Sequence, residues 1–232
     1  MKKWISLALI AALSVSSGLS FASSSAEALQ KKLTPQQVVA RLKAGNHAFK
    51  YKAAAPESLL LMKKGHAYGQ YPLAIILACI DSRSIPEVTF SQKKGDVFTA
   101  RVAGNVTDTD VLGSMEYAVG YAGTKVIVVM GHTSCGAVAA ACDMNYSHPN
   151  NLKGLLNKIV PAVKMAKKID PTGKCTDPKF IDLIAKQNVL YQIKKIMDDS
   201  SLIRKLVEEK KIILIGAIHD ISTGKVTFLD KK

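Results

Sequence analysis

Beyond Val15 the chain has no apolar run long enough to cross a bilayer, no internal repeat, no interdomain linker and no nucleic-acid-binding motif. These absences exclude a bundle of membrane helices, a solenoid and a string of modules. They leave roughly 210 residues, enough for one α/β domain with a substantial core. Acidic residues are also scarce, 18 against 32 Lys and Arg, for a net charge of +14. The lysines are spread along helical stretches (Lys153, Lys158, Lys164, Lys167, Lys168, Lys194 and Lys195). That scatter reads as a solvated basic surface, so no nucleic-acid partner is expected.

What the chain does have at its start is a targeting pattern. Lys2 and Lys3 precede an apolar run from Trp4 to Val15, and Ser20-Phe21-Ala22 is a small-x-small cleavage site. The run is shorter than the ~20 residues of a membrane span. The expectation is a signal peptide over residues 1–22, cleavage near Ser23, no membrane anchor thereafter, and a periplasmic or secreted location, with residues 23–232 as a single domain. Losing Lys2 and Lys3 takes the net charge from +14 to +12, since no acid precedes Glu27. An exported protein with four cysteines ordinarily carries disulfides. Cys142 follows three alanines on a predicted helix and Cys175 lies in a Pro/Gly/Lys loop, so a Cys142–Cys175 bridge is open alongside buried or free thiols.

Hydrophobic patterning predicts an α/β fold. Leu73 to Ala78 and Val126 to Met130 are continuous apolar runs, the pattern of strands buried on both faces, and Val97 to Val102 and Ile212 to Ile218 are further strand candidates. Helical patterns lie between them at Val111 to Tyr121, Ala137 to Cys142, Leu152 to Lys168, Pro178 to Met197 and Leu202 to Glu209. Such alternation implies a mainly parallel sheet flanked by helices, with Val226 to Leu229 as a short edge strand after the Thr223-Gly224 turn. Thr34-Pro35-Gln36-Gln37 is a capping box that opens a helix running to Lys50, and Ala53 to Gln70 reads as loop and short helix. Val38, Val39, Leu42 and Phe49 are few for a core stripe, which suggests an N-terminal helical arm docked on a partner subunit.

Two segments carry the chemistry: Cys79-Ile80-Asp81-Ser82-Arg83, and His132-Thr133-Ser134-Cys135, 53 positions after the first. Each follows a buried strand, so both fall on the carboxyl rim of the sheet, where ligands collect in such folds. Zinc takes thiolate and imidazole readily, and a catalytic site uses three protein ligands with a fourth position open. Cys79, His132 and Cys135 make such a set, with Gly131 and Gly136 giving the loop freedom to turn. Asp81 can act as a fourth ligand, or turn to Arg83, whose planar guanidinium suits a carboxylate; an isolated surface ion pair is the bland alternative.

This motif pair resembles the signature of the β-class carbonic anhydrases, over about Thr34 to Leu229. Arg101-Val102-Ala103-Gly104-Asn105 and Gly131-His132-Thr133-Ser134-Cys135-Gly136-Ala137 are similar to further stretches of that family. The resemblance implies one zinc ion per subunit on Cys79, His132 and Cys135, with Asp81 and Arg83 as catalytic dyad and Asp81 on the metal only in a closed, water-free state. It implies attack of zinc-bound hydroxide on CO2 to give bicarbonate and a proton. Gln70, Phe98, Arg101, Gly104, Tyr117 and Gly136 match substrate-pocket positions, and a glutamine that enters a neighbour's site implies a homodimer or a multiple of dimers.

The sequence departs from the bicarbonate-regulated members at Ile76 and at His219, which keeps Arg101 but leaves that anion pocket incomplete and favours an open site. His219 is a candidate proton shuttle, against the plainer reading of a core or surface histidine that also covers His47, His66 and His148. Other functions consistent with the motifs are hydrolysis of another heterocumulene such as CS2, a non-catalytic zinc-binding envelope protein, and a plain Cys79–Cys135 disulfide.

Overall fold

The structure is a computed structural model that describes residues 21–50, 69–143 and 149–229. Most of the expected signal peptide, most of the expected loop and short helix from Ala53 to Gln70, His66 and His148 lie outside the described residues. Strands β1 (Ala74–Ala78), β2 (Val97–Arg101), β3 (Val126–His132), β4 (Ile213–His219) and β5 (Val226–Leu229) form one sheet in the order β2-β1-β3-β4-β5. The first four are parallel; β5 pairs antiparallel with β4 on an edge, as the turn signal implied, with Gly224 in the left-handed region at φ 70°. Every residue of β1 and β3 is buried, which is what continuous apolar runs demand of central parallel strands.

Nine helices surround the sheet among the described residues: α1 (Phe21–Lys32), α2 (Pro35–Lys50), α3 (Pro86–Thr89), α4 (Thr109–Gly120), α5 (Gly136–Cys142), α6 (Asn150–Asn157), α7 (Val160–Ile169), α8 (Pro178–Asp199) and α9 (Ser201–Glu208). Strand alternation sorts the core into layers. Ala74, Ile76 and Ala78 pack with α2, whereas Ile75 and Leu77 pack with α4, α8 and α9. A third apolar cluster joins Cys79 and Cys135 to residues of α5, α6, α7 and α8, so both sulfurs rest against helices on one side of the rim.

Helix α2 starts as its capping box requires: Thr34 N–H donates to Gln37 Oε1 at 2.8 Å and Gln37 N–H to Thr34 Oγ1 at 3.2 Å. Its docking corrects the expectation of a partner surface, because Val38, Val39 and Leu42 are buried in this chain's own core beside β1 and β3. The expected helix from Leu152 to Lys168 is two, α6 and α7. Pro161 lacks an N–H and its ring collides with the carbonyl four residues back, that of Asn157, where α6 ends. Helices α1 and α3 were not foreseen. Gln30 fastens α1 by donating to Pro72 O and Ala122 O, each at 2.7 Å, a tertiary tie with no local signal.

Cys142 and Cys175 form a disulfide, with Cα atoms 5.6 Å apart and 33 positions between them in sequence. It fastens the end of α5, whose first residue follows Cys135, to the segment leading into α8. Closing a loop of this length in the unfolded chain stabilises the fold by about 3–4 kcal/mol in the chain-entropy account. The Cys142→Ser/Cys175→Ser double variant is therefore expected to lose about that much in urea unfolding, with the denaturant midpoint lowered; an unchanged midpoint contradicts a structural role for the bridge.

Candidate metal centre

The register of the sheet makes the site. Ala78 pairs with Met130 across β1 and β3, so Cys79 leaves the end of β1 beside Gly131, and His132 follows at once as the last residue of β3. Cys135 is the residue before α5 and completes the group. The ligand atoms of Cys79, His132 and Cys135 all lie within 4.8 Å of one another, and all three residues are buried. The two sulfurs are 3.9 Å apart, and both cysteines are free, which corrects the reading of a plain Cys79–Cys135 disulfide. With Zn–S bonds of about 2.3 Å, a tetrahedral ion separates two thiolates by about 3.8 Å.

His132 supplies an independent test of fit. Its Nδ1 donates to the carbonyl of Thr133 at 2.9 Å, which leaves Nε2 as the atom with the free lone pair. Nε2 is buried with no hydrogen-bond partner. An orphaned buried nitrogen costs free energy unless something else engages it, and a cation between the two sulfurs does so. The residues present thus fit zinc in donor type, number and spacing.

The thiols are coupled. The hydrogen bond shared with Cys135 is the largest effect on Cys79 and holds its thiol below the usual thiol range; burial opposes this, and His132 and the backbone N–H groups of Gly104 and Asp81 add to it. The same shared bond, with burial, pushes Cys135 well above the usual thiol range. Burial pushes the His132 imidazolium down, but the Cys79 thiolate, the Thr133 carbonyl and Asp81 outweigh it, so the net shift is upward.

Asp81 is gripped by Arg83 beside the three-ligand cluster. Arg83 Nε and backbone N–H donate to Oδ1 at 3.0 and 2.9 Å, and a terminal nitrogen donates to Oδ2 at 2.7 Å. This fork holds the Asp81 carboxyl well below the usual carboxylate range, burial opposing it. Oδ2 is also 3.9 Å from His132 Nε2, so the carboxylate borders the metal position without filling it.

The remaining predicted site residues divide into two groups. Gly104 donates its N–H to Cys79 Sγ at 3.3 Å and belongs to the centre. Arg101, at the end of β2, donates to Cys79 O at 2.9 Å and Asp81 O at 2.6 Å. It clamps the first ligand loop, and those donors are committed to backbone, which differs from the expected pocket-lining role. Gly136 opens α5 directly after Cys135. Gln70, Phe98 and Tyr117 gather elsewhere: Gln70 Nε2 is 3.5 Å from the Tyr117 hydroxyl, and the Phe98 and Tyr117 rings are 6.4 Å apart. Phe98 and Tyr117 line a groove of about 610 Å³ beside edge strand β2, whose walls include none of the metal-cluster residues. Phe98 pairs with Ile75, four positions before Cys79, roughly 13 Å down the strand.

His219 departs from the proton-shuttle reading. It is 2% exposed, and its Nδ1 lies 2.9 Å from Ser84 Oγ. Burial, then the nearby His132 charge, pushes its pKa down to about 4, so it stays neutral where a shuttle must titrate. Ile76 is fully buried in the core. The glycines flanking the second loop also act differently from expectation. Gly131 is needed because a Cβ there would meet Val189 Cγ2 of α8 at 2.8 Å, while a Cβ on Gly136 would meet nothing within 4 Å. The turn itself falls on Ser134, at φ 55°, whose N–H donates to Asp182 Oδ1 of α8 at 2.9 Å.

Sequence reasoning missed Asp182, Ser84, Asn188 and the Thr133 carbonyl. Asn188 and Gln192 had a usable signal: amides spaced by four on a helix face otherwise made of Ile181, Ile184, Ala185, Val189 and Ile196.

Known proteins agree with this geometry. The family model described as carbonic anhydrase matches residues 74–226, from β1 to the first residue of β5. The chain is 32% identical over 195 residues to carbonic anhydrase 2 of Mycobacterium tuberculosis, covering 82% of this chain and 90% of that protein. It is 31% identical over 175 residues to the carbonic anhydrase of Pseudomonas aeruginosa, covering 72% and 77%. Among solved structures, a tetrameric β-carbonic anhydrase of Sordaria macrospora superposes with a TM-score of 0.65 at 26% identity, over 84% of this chain and 97% of that one. Likeness of this extent takes in both ligand loops and the strands that place them, and the chain belongs to the β-class carbonic anhydrases.

Proposed function

We propose that this carbonic anhydrase hydrates CO2 reversibly to bicarbonate and a proton with one zinc ion per subunit, held by Cys79, His132 and Cys135, and with Asp81 and Arg83 orienting the nucleophile. The observation that carries this reading is His132: its Nε2 is buried, without a hydrogen-bond partner and 3.9 Å from Asp81 Oδ2, and its ring offers a ligand atom within 4.8 Å of both sulfurs. Bound there, zinc supplies a Lewis acid that makes hydroxide available from water near neutral pH.

The protein's own part is orientation. Oδ1 of Asp81 accepts two N–H groups and Oδ2 one, so Oδ2 retains room for a further donor on the side that borders His132. A carboxylate kept ionised by Arg83 accepts a hydrogen bond and does not donate one. It therefore takes the single O–H of a hydroxide and turns the oxygen lone pair toward CO2. Arg101 keeps the Cys79 and Asp81 carbonyls fixed, so that the ligand and the orienting group move as one piece.

A homodimer, or a multiple of dimers, completes the reading. Among the described residues, strand β2 ends the sheet with no strand paired to its outer edge. Tyr117 and Tyr121 stack on the surface beside it, 50% and 85% exposed, next to the groove lined by Phe98. A second copy covers these groups, and the Sordaria relatives are tetrameric. Export is supported by the Cys142–Cys175 disulfide, which persists in an oxidising compartment.

Asp81→Asn keeps the shape but changes the hydrogen bonding. In stopped-flow CO2 hydration it is expected to lose on the order of 10²-fold in rate while zinc content per subunit equals wild type; full activity in the zinc-loaded variant removes Asp81 from the mechanism. Because Arg83 depresses the Asp81 pKa, the carboxylate is ionised throughout pH 6 to 9 and does not shape the profile there. Hydration is expected to accelerate as pH rises above neutral, through ionisation of the water that supplies hydroxide, and a flat profile over that range contradicts this. Expressed with its leader in a Gram-negative host, the protein is expected in the periplasmic fraction with an N-terminus near Ser23; an intact N-terminus in the cytoplasm rules the export reading out.

A further inference from the structure

Cys79 is reached by a chain of buried polar groups that metal binding alone does not require. Its sulfur accepts the Gly104 N–H, from another segment of the chain, at 3.3 Å. Gly104 stands in a single 3-10 turn, Ala103–Asn105, at φ 69°. A Cβ there would come within 2.5 Å of Ile159 Cδ1, so the position needs glycine for space as well as for hand. Glycine also has the most conformational freedom of any residue, and the direction of its N–H has to be held from outside.

Two hydrogen bonds hold it through the peptide that follows. The N–H of that peptide, from Asn105, donates to Val102 O at 2.8 Å, and its carbonyl, that of Gly104, accepts from Asn188 Nδ2 at 2.8 Å. Asn188 Oδ1 accepts in turn from Gln192 Nε2 at 3.2 Å, and Gln192 Oε1 accepts from Thr107 N–H and Oγ1–H at 2.9 and 2.8 Å. Asn188 and Gln192 are both fully buried on the inner face of α8. Two amides on an apolar face cost desolvation that Leu or Met would not, and the network they form ends at the residue that touches Cys79.

We propose that Asn188 is a positioning residue of the metal centre: by gripping the Gly104 carbonyl it aims the Gly104 N–H at the Cys79 sulfur and so sets how much charge that thiolate gives to the metal. This rests on the zinc reading above. An N–H donor lowers the energy of the sulfur lone pairs, reduces donation and keeps the metal a stronger Lewis acid. Helix α8 thereby steadies both ligand loops, the second through Asp182 on Ser134 N–H.

Cobalt(II) in place of zinc makes the thiolates visible through their sulfur-to-metal charge-transfer band. In the cobalt-loaded Asn188→Leu variant that band is expected at lower energy than in wild type. In the zinc enzyme, the midpoint of the pH profile is expected to move up, with a loss of about 10- to 100-fold in rate at neutral pH. Gln192→Met, which leaves Asn188 in place but unsupported, should move both readouts in the same direction by less, and it carries the test if Asn188→Leu does not fold. Ile196→Ala, farther along the same helix, lowers the melting temperature without touching Gly104 and should leave both unmoved. An unshifted band in folded, cobalt-loaded Asn188→Leu or Gln192→Met overturns the proposal, and so does an equal shift in Ile196→Ala. Wild type that takes up no cobalt, or shows no sulfur band, overturns the zinc reading itself and needs no variant to reveal it.

Discussion

Everything at the metal centre depends on the parallel pairing of β1 with β3, in which Ala78 stands opposite Met130. Cys79 and His132 have no sequence proximity, and only this register delivers them to one place. A slip by one residue moves a strand about 3.3 Å and turns its side chains to the opposite face. Such a slip would separate the Cys79 sulfur from His132 and drive Ile76 out of one core layer while drawing Ile75 out of the other. The hydrophobic layers on the two faces of β1 and β3 therefore hold the ligand geometry. Stability of the core and positioning of the Cys79–His132–Cys135 cluster are the same interaction seen from two ends.

Burial at the rim brings an electrostatic demand that the surrounding residues meet one group at a time. Two thiols 3.9 Å apart in a buried cluster share a proton easily and lose a second with difficulty. A cation removes that difficulty, and the Gly104 N–H donates to the Cys79 sulfur. Asp81 is kept ionised by Arg83, and Arg101 places a guanidinium against the carbonyls of the same loop. His219, one strand over and paired in register with His132, is kept neutral by burial. The histidine that faces the two sulfurs is thus tuned by them, while its neighbour remains a packing residue.

The elements of the fold were legible wherever local pattern is enough. The apolar runs gave β1 and β3, turn residues gave β5, and the capping box gave the start of α2. The helix break at Asn157 was written in Pro161 and was passed over because apolar spacing continues through it. Helix α1 left no comparable trace, since its anchor is a pair of hydrogen bonds from Gln30 to carbonyls far along the chain. Arg101 shows the same limit at the site: the family resemblance implied a pocket contact, and the structure commits its donors to the backbone of the adjacent strand end.

The sequence by itself determined the donor set, its placement after buried strands and the class of chemistry, because thiolate, imidazole and a carboxylate–guanidinium pair are properties of residue type and spacing. Only the tertiary structure decided which atoms meet. The left-handed Ser134, the grip of Asn188 on Gly104, the pairing of Cys142 with Cys175 and the burial of His219 each join segments far apart in the chain. Their geometry is set by sheet register and helix packing, which no local window of sequence encodes.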